Sequence, residues 1–175
     1  MKIVKIFTAG PMEPEVIRTK VAGWRMQLEK AVSFPDKPLK IEWLHPELIS
    51  DGQTKGIDPN QTVEGNYNLV KSTDIVVAYM DRVDQHGTMV EIYWSRQLNK
   101  KLIYFVSEEL FTTKSAYPAM KHGCCCLLPG LGKSAYWYFE TALNLRPISV
   151  KPKDTVKMAS IIGTVLESWG SPPVA

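Results

Sequence analysis

Long apolar runs are missing from this 175-residue chain. Nothing in it approaches the roughly 20 consecutive apolar residues that a membrane-spanning helix requires, so no membrane role is expected. Charge of one sign is not in excess either. Twenty-one Lys and Arg against 18 Asp and Glu leave a net charge of +3, and the lysines at 37, 40, 55, 100, 101, 151, 153 and 157 form no dominant stripe. Long nucleic acid is therefore not the expected partner. Cysteine is scarce and contiguous at Cys124, Cys125 and Cys126, where adjacency strains an ordinary disulfide; reduced, buried thiols are expected. His122 lies nearby, but zinc sites want ligands two to four residues apart and a second pair elsewhere. No metal is expected. Internal repeats and low-complexity segments are also absent. The opening Met1 to Phe7 carries charge within its short apolar run and leads into a turn, which reads as a first strand and not a signal peptide; a cytoplasmic location is the expectation.

What is present is an ordinary globular balance, 45% hydrophobic and 22% charged, in a length suited to one core. A single domain over residues 1–170 with a tail at 171–175 is expected. Strand-like and helix-like patterns alternate, which predicts an α/β fold. Residues 2 to 8 read as a strand, 13 to 32 as a helix, 39 to 44 as a second strand and 60 to 72 as a second helix. The β-branched run from Ile75 to Tyr79 suits a strand buried on both faces of a parallel sheet. Val90 to Leu98 follows as a helix and Lys101 to Val106 as a fourth strand. Cys124 to Leu128 is the expected fifth strand, with helices over 135–145 and 154–169. Residues 45–59 hold Asp51-Gly52, Lys55-Gly56 and Asp58-Pro59, turn chemistry in a stretch long enough to read as a lid or substrate loop.

Ligands of open α/β sheets bind outside the carboxyl ends of the strands, which directs attention to two segments. The turn Ala9-Gly10-Pro11-Met12 ends the first strand and suits close backbone approach to a ligand. Asp81, Gln85, Gly87 and Thr88 follow the third strand. Glu91 is then expected in the first turn or so of its helix, where backbone N–H groups favour an ionised carboxylate. It is a candidate nucleophile or, more simply, a helix-end stabiliser. Trp24 reads as core, Arg25 as a surface or ion-pair residue, and His86 as a solvated loop residue. Gly132-Lys133-Ser134 echoes a phosphate-binding loop, but the glycine the motif needs at 127 is Leu.

Four pieces together resemble the nucleoside 2-deoxyribosyltransferase family and the related nucleoside 5′-monophosphate N-glycosidases: Ile6 to Met12, Trp24-Arg25, Asn68 to Ala78, and Gly87-Thr88-Met89-Val90-Glu91-Ile92. The resemblance covers somewhat over half the chain. It implies a flavodoxin/Rossmann-like three-layer sandwich around a central, mostly parallel five-stranded sheet. It also implies that Glu91 attacks the anomeric carbon of a nucleoside or nucleotide to form a covalent glycosyl-enzyme, with no metal or redox cofactor. The family's transferases protonate the departing base with an aspartate where this chain has Asn66, and an amide is not an acid; Asp81, Asp84 or the tail carboxylate are the candidate substitutes. A second family aspartate, on the sugar hydroxyls, is replaced by Gln85. That loss of charge favours a 5′-phosphate, which Arg25, His86 and the amides of Gly10 and Met12 are candidates to hold, with Phe7, Pro11, Gly87 and Thr88 completing the expected binding set. The family assembles as homodimers or larger homo-oligomers, and the aromatic run Tyr136 to Phe139 fits an interface or a second packed layer. The competing reading is a non-catalytic nucleotide-binding module of the same fold, supported by Asn66. A dinucleotide oxidoreductase is disfavoured because no Gly-x-Gly-x-x-Gly turn follows the first strand.

Overall fold

The computed structural model describes residues 2–11, 23–32, 39–46, 59–81, 85–109 and 147–169. In chain order these form β1 (Lys2–Ala9), α1 (Trp24–Ala31), β2 (Leu39–Leu44), α2 (Pro59–Ser72), β3 (Ile75–Met80), α3 (His86–Gln97), β4 (Lys101–Ser107), β5 (Ile148–Val150) and α4 (Thr155–Glu167). The five strands make one sheet in the order β2-β1-β3-β4-β5. Every described pairing is parallel, so the expected mostly parallel sheet is parallel throughout its described part. This is the doubly wound order in which the winding reverses between β1 and β3, opening a crevice at their carboxyl ends.

Strand periodicity explains the three layers. Successive side chains point to opposite faces of a sheet, so one continuous apolar run supplies two cores. Ile75, Val77 and Tyr79 join Val4, Ile6, Ile103 and Phe105 under α1 and α4, packed with Trp24, Leu28, Met158 and Ile162. Val76, Ala78 and Met80 join Phe7, Ala9, Tyr104 and Val106 on the other face, packed with Val70, Met89 and Ile92 of α2 and α3. All six residues of β3 are buried, as the unbroken run predicts.

The register of β1 against β3 is set by a polar clamp. Thr73 Oγ1 donates to the Lys5 carbonyl at 2.7 Å, and the Asp74 N–H donates to the same oxygen at 2.9 Å. The Lys5 N–H in turn donates to Asp74 Oδ2 at 2.8 Å. At the start of α4, Asp154 Oδ1 accepts from the Lys157 N–H at 3.0 Å, an N-cap bond.

One expectation changes here. α3 begins at His86, one turn before the expected Val90; Gln85 occupies its N-cap without a side-chain capping bond because its side chain is used elsewhere. The strand beyond β4 is Ile148–Val150, three residues that give no readable periodicity. The expected strand at 124–128 lies outside the described residues, as do residues 47–58 of the expected lid at 45–59, the helix at 135–145, the aromatic run at 136–139, the cysteines and the tail. No helix among the described residues is long and apolar enough to cross a membrane.

Candidate functional site

The first turn is built around Trp24 and Arg25. Gly10 closes on the indole so tightly that a Cβ added there would stand 2.4 Å from Trp24 Cζ2. The glycine thus makes room for the protein's own ring. Trp24 is fully buried, its Nε1 donates to the Pro11 carbonyl at 3.2 Å, and its ring meets Tyr79 with centroids 5.4 Å apart. Arg25 lies 4.7 Å over the same indole.

Arg25 is not the surface residue its type suggests; only 5% of it is exposed. Its planar fork donates to the Gly10 and Pro11 carbonyls, both at 2.9 Å, and its Nε to Thr8 Oγ1 at 3.1 Å. Those carbonyls follow the end of a strand and have no ladder partner among the described residues, so the guanidinium supplies donors to the bending backbone. A charge spent on shaping the turn is a different role from the phosphate contact the resemblance implies.

The chain continues to residues that sequence reasoning missed. Thr8 Oγ1 lies 2.7 Å from His45 Nδ1, and His45 Nε2 lies 3.3 Å from Glu29 Oε2. A carboxylate only accepts, which places a proton on Nε2 and leaves the sense of the Thr8–Nδ1 bond to the protonation state of the ring. Arg25, Thr8, His45 and Glu29 therefore tie the carboxyl ends of β1 and β2 to α1. The available signal was His45 directly after a strand; Thr8 offered none.

Across the crevice, Gln85 Oε1 accepts from the Asp81 N–H at 2.8 Å, joining the end of β3 to the start of α3. Gln85 is buried, as is Thr88. Gly87 is exposed, and an added Cβ would meet nothing within 4 Å. Phe7 is wholly buried in the core under α2 and α3. His86 opens α3, while Met12 and Asp84 lie outside the described residues. Beside this edge, burial pushes the Tyr79 hydroxyl above its usual 10.0; the Lys153 N–H that donates to it at 2.8 Å pulls the other way, and the negative charge of Asp81 raises it further.

Glu91 sits in the second turn of α3, beyond the helix-end amides on which the sequence argument relied, and is 6% exposed. Its described side-chain partner comes from the neighbouring helix: Asn66 Nδ2 of α2 donates to Glu91 Oε1 at 3.2 Å. Asn66 Oδ1 is buried and has no hydrogen-bond partner among the described residues. The geometry thus unites Asn66 with Glu91, Asp81 with Gln85, and Gly10 and Pro11 with Arg25. The second pair lies at the carboxyl end of β3 and the third just beyond that of β1.

No family model matches the chain, and no curated protein matches it significantly. Among solved structures it is similar to the CMP N-glycosidase BcmB of Clostridium botulinum, with 16% sequence identity and a TM-score of 0.49 over 90% of this chain and 98% of that one.

Proposed function

We propose that this chain cleaves or transfers the N-glycosidic bond of a nucleoside or nucleoside 5′-monophosphate through a covalent glycosyl-enzyme on Glu91. The observation that carries the reading is the buried Glu91 carboxylate, held by the Asn66 amide at 3.2 Å on the helix that leaves the crevice after β3. A buried carboxylate is costly unless it is paired or used, and an amide donor aims it without neutralising its charge. In the reaction a Glu91 oxygen attacks the anomeric carbon as the bond to the base nitrogen breaks. The bonding pair leaves with the base, which takes up a proton from an acid or from solvent. Water or a second base then displaces the glutamyl ester, giving net retention. The oxocarbenium-like transition state gains from the adjacent negative charge. Asp81 and Asp84 are the proposed proton sources, Gln85 and the start of α3 the proposed binding edge, and the active form is a homo-oligomer.

Asn66 also favours the second reading, a nucleotide-binding module, since the position beside Glu91 holds no acid. Chromatography for free base separates the two, using ribo- and deoxyribonucleosides and their 5′-monophosphates with and without a second base. Base release that is lost in Glu91→Gln is the expected result. Release that survives in Glu91→Gln defeats the covalent mechanism, and binding without release selects the module.

A further inference from the structure

We propose that Asn66 is a specificity-determining residue whose Oδ1 accepts a hydrogen bond from the 2′-hydroxyl of a ribosyl substrate, so that the site prefers ribosides to 2′-deoxyribosides. The inference rests on the reading of Glu91 as nucleophile.

Its starting point is the division of labour within one amide. Glu91 Oε1 can only accept, so the amide turns its nitrogen to the carboxylate, at 3.2 Å, and its oxygen away from it. That oxygen is closed off from solvent and meets no donor among the described residues. Leaving a buried acceptor unsatisfied costs about 1–3 kcal/mol, and such groups in folded proteins call for an explanation. A donor arriving with the substrate supplies one.

The stereochemistry of displacement selects which donor. An attacking carboxylate stands opposite the leaving base, on the other face of the sugar ring, at about 3–3.5 Å from the anomeric carbon. The base therefore lies across the ring from Glu91. The base atoms flanking the glycosidic nitrogen are moreover acceptors or C–H groups and offer Oδ1 no strong donor. In a β-riboside the substituent that shares the nucleophile's face, one bond from the anomeric carbon, is the 2′-hydroxyl. An acceptor flanking Glu91 Oε1 faces it. The contact also has chemical value: the 2′-oxygen withdraws electron density from the developing oxocarbenium ion, and accepting its proton in a hydrogen bond returns some. Hydrogen bonds to this hydroxyl strengthen in the transition states of retaining glycosidases.

The test compares adenosine and cytidine, and their 5′-monophosphates, with the 2′-deoxy and 2′-O-methyl counterparts, in wild type, Asn66→Leu and Glu91→Gln, with circular dichroism to verify folding. Loss of the Asn66 bond to Glu91 handicaps every substrate alike, so the ratio of kcat/KM for ribo over 2′-deoxy isolates the Oδ1 contact. Wild type should favour the riboside, and Asn66→Leu should lower the ratio by roughly ten- to a hundredfold. A wild-type preference for the deoxyriboside, or a ratio that Asn66→Leu leaves unchanged, overturns the proposal. Failure of the catalytic reading looks different: no base is released from either sugar. The ratio of calorimetric Kd values for AMP and dAMP in wild type and Asn66→Leu then decides the role of Asn66 by the same criterion.

Discussion

Replacing Gly10 by alanine is the sharpest probe of how the first turn is built. The new methyl would stand 2.4 Å from Trp24 Cζ2, 3.1 Å from Cη2 and 3.2 Å from Cε2, where ordinary carbon contacts begin near 3.5 Å. An overlap of about 1 Å must be relieved, and the indole has little freedom to yield. Its Nε1 is bonded to the Pro11 carbonyl, Tyr79 packs on one side of it and Arg25 on another. Overpacking of this kind costs about 1–3 kcal/mol, and the rigid surroundings place the expected loss at about 2–3 kcal/mol. For a chain of this length that lowers Tm by roughly 5–10 °C. Urea unfolding followed by tryptophan fluorescence should show a lower midpoint with an unchanged slope. The double variant with Trp24→Phe supplies the control, because phenylalanine lacks the outer ring atoms that collide. Gly10→Ala should therefore cost markedly less in that background, a coupling readable from a double-mutant cycle. A loss under about 0.5 kcal/mol, or an equal loss in both backgrounds, would refute the claim that this glycine is required by the indole.

Arg25→Lys keeps the charge but forfeits the fork that reaches the Gly10 and Pro11 carbonyls and Thr8 together; a destabilisation of about 2–3 kcal/mol by urea unfolding is expected. Asn66→Asp puts a second carboxylate where an amide donates to Glu91. Like charges at that distance share a proton, so the acid limb of the pH–rate profile should move to higher pH, and an unshifted limb would deny the pairing. Tyr79 provides a stability test at alkaline pH. Its folded-state pKa lies above the ordinary 10.0 because burial disfavours the phenolate, so its contribution is complete below pH 10 and is lost as pH rises through the folded value. Absorbance titration near 295 nm should show a late-ionising tyrosine that disappears in Tyr79→Phe.

The sequence by itself determined the elements whose signals are local. The unbroken β-branched run at 75–79 identified the central strand, and Leu39–Leu44 was legible to the residue because Pro38 and Pro46 bracket it. Alternation of strand and helix patterns specified a parallel sheet, since parallel neighbours require crossovers. The start of α3 was less legible because His86-Gly87-Thr88 are weak helix formers and Gln85 is no strong cap. Only the tertiary structure decided the rest, because those facts are pairings between distant positions. Asn66 and Glu91 lie 25 residues apart on two helices, and no periodicity within either predicts which faces will meet. Arg25 reads as a solvent residue on its own helix until the carbonyls of Gly10 and Pro11 supply acceptors for its buried donors. Gly10 reads as a ligand-approach glycine until the ring 14 residues later fills the space. Local propensity is written along the chain; the partners that satisfy a buried charge are set only when the layers close around it.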